Sequence, residues 1–429
     1  MRPLCAPLNP FPLAVRIGVV FATGEEFAMS YTGGYQSQVF ADGGSPFPFT
    51  VQGLVDAARD ILPRPHFDYI AGGAGRERTV VANEDAFARW GLNYRILRDG
   101  TGCDPSCTVL GTPMSVPVML APAGVADLAH PGAERAAARA AADAGVVQVL
   151  SSATSTSLEE VAAAAPRGRR WFQFAWPDDE KLARSLVERA ENAGYTALVL
   201  QGDCHVAGWR TRELDSGFFP FRHGHGIGNY VSDPRFRELA GIGARPVPGG
   251  AALEPAEVPA AAATWNRLYT RPALRPGDLA LLRSWTELPV VVKGVCRPDE
   301  AALLVDAGAD GLVVSNHGGR QLDSGTAALD CLPGVVEAVA GRLPVLFDSG
   351  VRTGTDVLIA LALGASAVMI GRPWLYGLAV GGQDGVAHVL RCLESEFTGA
   401  LALTGHRGPG TLSPADLTPV PAPTPGRTR

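Results

Sequence analysis

From Val116 onward the chain alternates short unbroken apolar runs with longer stretches of helical periodicity. The apolar runs are Val116–Leu120, Val146–Leu150, Trp171–Phe174, Ala197–Leu200, Val290–Val292, Gly311–Val314, Val345–Phe347 and Ala367–Ile370, eight in all. Runs of Val, Leu and Ile without polar alternation mark strands buried on both faces, the habit of parallel sheets. Between and after them the pattern predicts helices near residues 132–144, 157–164, 179–193, 277–286, 298–307, 327–341, 353–363 and 384–397. Eight β-then-α units in succession predict an α/β chain closed into a (β/α)8 TIM barrel. An open doubly wound sheet is the rival, but it rarely uses so many units and wants G-x-G-x-x-G after its first strand. The only comparable run, Ala71–Gly75 (AGGAG), lies upstream of the barrel and lacks that spacing.

Residues 51–412 read as the barrel unit, with 51–95 helical at first and then irregular, packed over one barrel end. Residues 1–50 read as a partly disordered N-terminal extension. Residues 11–22 (FPLAVRIGVVFA) resemble the core of a secretion signal, but Arg16 interrupts them and Glu25 and Glu26 stand where small residues should mark cleavage. Met29 is the better start. The connection from Leu200 to Val290 is long enough to be a functional lid inserted after the fourth strand. Within it Gly241–Ala263 is expected to be flexible, and the Pro/Thr-rich residues 413–429 are expected to form a loose tail.

Composition narrows the functional classes. Apolar residues make up 46% of the 429, enough for a large core, while 19% are charged and the net charge is −6. A mildly acidic surface argues against a nucleic-acid partner, and no apolar run reaches the ~20 residues that span a bilayer. The seven cysteines are odd in number and scattered, which fits a reduced cytoplasmic protein. Cys103 and Cys107 lack the second pair or nearby histidines of a zinc site, so no metal is expected.

In such barrels the active site forms at the C-terminal strand ends, so the residues just past each run carry the chemistry. Past the sixth run stand Ser315, Asn316, His317, Gly318, Gly319, Arg320 and Gln321. A histidine can take a proton near neutral pH, and an arginine can hold a carboxylate by two parallel hydrogen bonds; a glycine turn with a surface histidine is the plain alternative. The fifth run ends at Lys293, which is costly to bury unless it meets an anion such as a reduced cofactor ring, and otherwise snorkels to solvent. Past the seventh and eighth runs, Asp348, Gly350, Arg352, Gly371 and Arg372 lie in glycine-bearing loops beside a helix N-terminus, the usual phosphate cradle of these barrels. Past the fourth, Asp203 could orient an imidazole or simply face solvent, and Arg210 could be a second carboxylate clamp. Past the first, Pro122, Ala123 and Gly124 are small enough to let a planar cofactor lie on the backbone, or form a plain turn. Ser151 and Gln173 could bond a cofactor edge or be satisfied core polar groups.

Taken together, VKGV, SNHGGRQ, DSGVRTGTDV and IGRP resemble the FMN-dependent 2-hydroxy acid oxidases and dehydrogenases, over roughly residues 50–412. Within that family GGYQSQVF, GWRTRELD, GIGNYVSDP, ALDCLP–PVLFDSG and Gly124 are similar to lactate 2-monooxygenase. The resemblance implies FMN as cofactor, a small L-2-hydroxy acid as substrate, molecular oxygen as acceptor, and a homo-oligomer, a tetramer or octamer. It implies His317 as the base, taking a proton from carbon or from the hydroxyl, with Asp203 steadying it. Lys293 would lie beside the flavin ring and stabilise its reduced charge. Tyr69 (in FDYIAGGAG), Arg210 and Arg320 would hold the substrate carboxylate. Ser151, Gln173 and Ser315 would contact the isoalloxazine or ribityl portion, and Asp348, Gly350, Arg352, Gly371 and Arg372 the ribityl and phosphate. The products would be a keto acid and peroxide, or a decarboxylated acid if the keto acid stays bound, as in the monooxygenase.

Two positions depart from the family pattern. Ala175 stands where its active-site tyrosine belongs, and Gln201 where a threonine precedes the aspartate. The lost hydroxyl weakens orientation of the substrate hydroxyl and opens space, which Trp176 or His205 could refill. A bulkier substrate, including a natural-product or peptide-derived one, or slow turnover of lactate is therefore expected. A non-catalytic flavin-binding protein and a phosphate-binding isomerase are the remaining rivals; neither needs His317 together with Arg320.

Overall fold

The computed structural model describes residues 33–243 and 253–421. Met29, residues 244–252 of the expected lid and residues 422–429 of the expected tail lie outside the described residues. The strands are β1 (Trp90–Leu92), β2 (Cys107–Val109), β3 (Thr112–Met114), β4 (Val118–Leu120), β5 (Val147–Leu150), β6 (Arg169–Phe174), β7 (Leu198–Gln201), β8 (Val290–Val295), β9 (Gly311–Val314), β10 (Val345–Phe347), β11 (Ala367–Ile370) and β12 (Leu417–Pro419). Strands β4 to β11 pair in parallel in chain order and close where Val118 of β4 lies opposite Val368 of β11. All eight apolar runs are thus barrel strands. β7 runs one residue past its apolar run, to Gln201, and β8 runs three past, through a register shift between Lys293 and Val295; such bulges re-aim side chains beside active sites.

Two cores follow from strands buried on both faces. Inside the barrel Met119, Val147, Val149, Trp171, Val199, Val291, Val313, Leu346 and Met369 pack together, joined by Val109 and Met114 from the β2–β3 hairpin. The Trp171 indole N–H donates to Thr112 Oγ1 of that hairpin at 3.3 Å, so the hairpin plugs the barrel. Outside, the flanking helices bury the other strand faces. Helices Val51–Ile61, Arg64–Ala71 and Arg78–Asp85 precede the barrel and bring Tyr69 to its mouth.

Some expectations need correction. The final helix runs from Arg372 to Leu403 and is broken only at Gly381 and Gly382, whose φ values of −148° and +57° leave the helical range. Part of the expected flexible segment is the helix Val258–Leu268, which buries Ala261, Ala262, Trp265 and Leu268. Its alanines are good helix formers and Pro259 suits a first turn, so a Pro/Ala-rich sequence here means helix. The expected loose tail contains β12, antiparallel to β1 with Leu417 opposite Leu92. The expected N-terminal extension contains the helix Gly34–Ala41, tied to the final helix by Tyr35 Oη to His388 Nδ1 at 2.7 Å. Among the described residues no helix is long and apolar enough to cross a membrane.

Candidate active site

The C-terminal strand ends open into a cavity of about 470 Å³. It is lined by Tyr69, Pro122, Ala123, Gly124, Ser151, Gln173, Arg210, Lys293, His317, Arg320, Asp348, Gly350, Arg352, Gly371 and Arg372, residues that the sequence places in nine separate segments. Asp203 and Ser315, also singled out from sequence, stand behind this wall.

His317 follows β9 in a left-handed conformation, φ +59°, unusual for a residue with a side chain. That backbone is fixed from beneath: the His317 N–H donates to Ser315 Oγ at 3.1 Å, and the Gly318 N–H to Ser349 Oγ at 3.0 Å. His317 Nδ1 lies 3.1 Å from Asp203 Oδ2. Burial works to raise the Asp203 carboxyl, but Lys293 and His317 overcome it and hold the group well below the usual carboxylate range. An ionised Asp203 can only accept, so Nδ1 carries the proton and Nε2 keeps its lone pair. Burial pulls the imidazole below its ordinary value; Asp203 opposes this, while Lys293 and Arg210 reinforce it. The ring is neutral near pH 7 and able to take a proton. Close approach needs Gly294, at φ +110°: a Cβ there would lie 2.5 Å from Asp203 Cβ.

Lys293 is buried and meets the anions its position demands. Its Nζ donates to Ser315 Oγ at 2.8 Å and lies 3.2 Å from Asp348 Oδ2 and 3.6 Å from Asp203 Oδ2. Burial would lower its pKa, but the two carboxylates raise it above the ordinary lysine value. Ser315 therefore faces Lys293 and the His317 backbone; it does not line the cavity as the resemblance implied.

The two guanidinium groups converge through a residue that the sequence reading did not single out. Glu213 Oε1 lies 3.0 Å from Arg320 Nη2 and 3.6 Å from Arg210 Nη1. Arg320 also donates through Nη1 to the Tyr69 and Gly72 carbonyls, both at 2.7 Å. Arg210 donates through Nη2 to Gln321 Oε1 at 3.2 Å, and Gln321 Nε2 donates to the Asp203 carbonyl at 2.9 Å. Two arginines against one glutamate leave one positive charge uncompensated, which matches a single incoming carboxylate. Burial first, and Arg210 next, push the Arg320 pKa down; the negative charge of a bound carboxylate would offset both.

Next to Arg320 the cavity fits a phosphate-bearing cofactor, since the Gly72 carbonyl accepts from both Arg320 and Arg372. Arg372, at the start of the final helix, is bonded only to the carbonyls of Ile70 (3.2 Å), Gly72 (2.7 Å) and Gly318 (2.9 Å), and among the described residues it forms no ion pair. Burial pushes this guanidinium down to about 10. A buried cation aimed at a cavity beside a helix N-terminus is an anion site. Arg352 also lines it, held by Glu84 Oε1 at 2.7 Å. Elsewhere on the lining, Ser151 Oγ donates to Gln173 Oε1 at 3.0 Å, and Gln173 Nε2 donates to Gln201 Oε1. If Arg372 grips the phosphate, Arg372→Met weakens FMN binding to apoprotein by about 10- to 150-fold, the worth of one charge-assisted bond. Titration of FMN fluorescence reads this directly; an unchanged dissociation constant would remove Arg372 from the site.

The space expected at Ala175 is not an opening. Ala175 is 2% exposed and does not line the cavity. Trp176 does not refill it either, packing away from the cavity against Phe174 (5.7 Å) and Trp285 (5.2 Å). His205 does line the cavity. The rest of that wall comes from the insertion after β7: Phe219, Phe221, Trp265 and Tyr269, with Phe221 and Trp265 stacked at 3.9 Å. Cys204 also lines it, its sulfur 3.4 Å from His317 Nδ1.

Comparison with known proteins agrees with this geometry. Residues 58–419 match the FMN-dependent dehydrogenase family. The chain is 41% identical over 382 residues to an FMN-dependent alpha-hydroxy acid dehydrogenase of Penicillium citrinum, covering 87% of this chain and 93% of that one. It is 43% identical over 353 residues to an L-lactate oxidase of a Nostoc species, covering 81% and 92%. A crystal structure of mandelate oxidase with (S)-4-hydroxymandelic acid superposes with TM-score 0.75 at 39% identity, covering 86% of this chain and 98% of that one. The particular likeness to lactate 2-monooxygenase gives way here to relatives named as oxidases and a dehydrogenase. The chain belongs to the FMN-dependent 2-hydroxy acid oxidases and dehydrogenases, an oxidoreductase family acting on CH–OH with FMN as its cofactor.

Proposed function

We propose that this enzyme oxidises an L-2-hydroxy acid with a planar aromatic side chain to the 2-keto acid, with molecular oxygen as acceptor and peroxide as co-product. The observation that supports it most is the convergence of a neutral, Asp203-oriented His317 with an arginine pair carrying one uncompensated positive charge. Arg210, Arg320 and the Tyr69 phenol bind the substrate carboxylate and so fix the α-carbon. His317 Nε2 takes the proton released as the α-carbon is oxidised, and Asp203 stabilises the resulting imidazolium. FMN, when bound, accepts the two electrons lost by that carbon. Lys293 holds positive charge next to the developing negative charge. The aromatic preference rests on Phe219, Phe221, Trp265 and Tyr269, a larger apolar wall than a methyl side chain needs.

The test is anaerobic bleaching of the FMN-loaded enzyme by a panel of 2-hydroxy acids. Mandelate-type acids are expected to bleach the flavin faster than lactate. In air an aryl 2-hydroxy acid should yield its keto acid with an equivalent of peroxide, whereas decarboxylation would give the carboxylic acid one carbon shorter. Lactate outpacing every aryl acid would refute the specificity, and a flavin that no 2-hydroxy acid bleaches would refute the activity.

A further inference from the structure

Strand β6 ends at Phe174, and the next residue, Ala175, offers no polar side-chain atom; its backbone N–H is taken by Ser152 Oγ at 3.0 Å. The residues just beyond it hold another segment in place. The Asp178 N–H donates to the Leu268 carbonyl at 2.8 Å, and the Arg271 N–H donates to the Trp176 carbonyl at 2.7 Å. Between those two anchors sits Tyr269, the C-cap of the helix Val258–Leu268. Its ring lies 4.4 Å from that of Trp265 and 6.2 Å from that of Tyr230, in an aromatic cluster that leaves the side chain little freedom. Tyr269 lines the cavity together with Tyr69, Cys204 and Arg210. Burial raises its phenol well above the ordinary value, Tyr230, Cys204 and Tyr69 add to this, and Arg210 opposes it. The group is therefore a hydrogen-bond donor throughout the working pH range. No described residue bonds its hydroxyl, and Tyr269 is only partly buried where it lines the cavity, so the phenol is free to donate into that space.

We infer that Tyr269 supplies, from the insertion, the substrate-facing hydroxyl that the end of β6 lacks, donating to the α-hydroxyl oxygen of the substrate. Cys204 and Arg210, whose charges act on this phenol, lie on the His317 side of the cavity, the Cys204 sulfur 3.4 Å from His317 Nδ1. Tyr269 then has two roles. Its hydroxyl orients the substrate oxygen relative to His317, and its ring, stacked with Trp265, gives the substrate side chain a flat surface. Because the donor arrives on a helix and not on a barrel strand, the specificity of this enzyme resides in its insertion. The inference deepens the proposed 2-hydroxy acid oxidation and rests on it.

The experiment is Tyr269→Phe in the FMN-loaded full chain, read by rapid-mixing anaerobic flavin reduction. With the best aryl 2-hydroxy acid the limiting reduction rate should fall about tenfold or more, the worth of one well-placed hydrogen bond. Binding of the matching aryl acetate, which has no hydroxyl for the phenol to grip, should be unchanged in a spectral titration. An unchanged reduction rate overturns the inference. So does equal weakening of aryl acetate binding, or loss of FMN by the variant, since either would mark the phenol as structural. Wild-type enzyme that no 2-hydroxy acid reduces would instead overturn the proposed activity, so the two failures are distinguishable.

Discussion

Replacing His317 with asparagine lowers the rate of anaerobic flavin reduction by about 10²–10⁴-fold while FMN stays bound. Asparagine is chosen on structural grounds. Position 317 has φ +59°, a region that asparagine enters more easily than most residues, and its amide can still donate to Asp203. What it lacks is a basic nitrogen facing the substrate. The wild-type pH profile gives a second readout. Burial pulls His317 below its ordinary value of 6.5, and the neutral ring is the active form. The acidic limb of kcat/KM should therefore fall below that value and vanish in the variant. The same shift contributes to stability: a histidine whose folded pKa is depressed stabilises the fold above its unfolded value, and that contribution is lost as pH falls toward the folded one. An acidic limb that persists in His317→Asn would assign the titration to another group.

The sequence was informative where one residue faces one environment. Barrel strands are buried on both sides, so their hydrophobicity is continuous and each β9- or β10-like run can be located to within a residue or two. Functional loops follow those strands directly, which is why Lys293, His317 and Arg372 could be picked out from their position. What escaped was tertiary. Glu213 lies three residues after Arg210, close enough to suggest that pairing, but nothing local reveals that the same carboxylate reaches Arg320 at 3.0 Å. Tyr269 was hidden for a related reason. It follows a stretch whose glycines, prolines and alanines suggest disorder, and its cavity-facing position depends on backbone bonds to residues 176–178. Trp176 was misplaced because Phe174 and Trp176, two residues apart, share one face, and that face packs on Trp285, outside the cavity.

Lys293→Met should cost about 3–5 kcal/mol of stability as well as slowing flavin reduction. Methionine nearly matches the lysine stem in volume, so the loss comes from charge. In the wild type a single buried ammonium lies 3.2 Å from Asp348 and 3.6 Å from Asp203; without it two largely buried carboxylates lose the cation they share. The pH dependence separates this cause from simple repacking. Wild-type Asp203 has a depressed folded pKa, so its contribution is present above the unfolded carboxylate value and lost as pH falls through the folded one. In the variant burial acts on Asp203 without Lys293 to oppose it. Its folded pKa then rises, and protonation on lowering the pH removes the unpaired charge. The stability gap between wild type and variant, measured by urea unfolding of the holoenzyme, should therefore be widest near pH 8 and narrow toward pH 5. A gap that stays constant across that range would place the cost in packing and deny Lys293 its electrostatic role, and with it the argument that the same ammonium serves the reaction by holding charge beside the flavin.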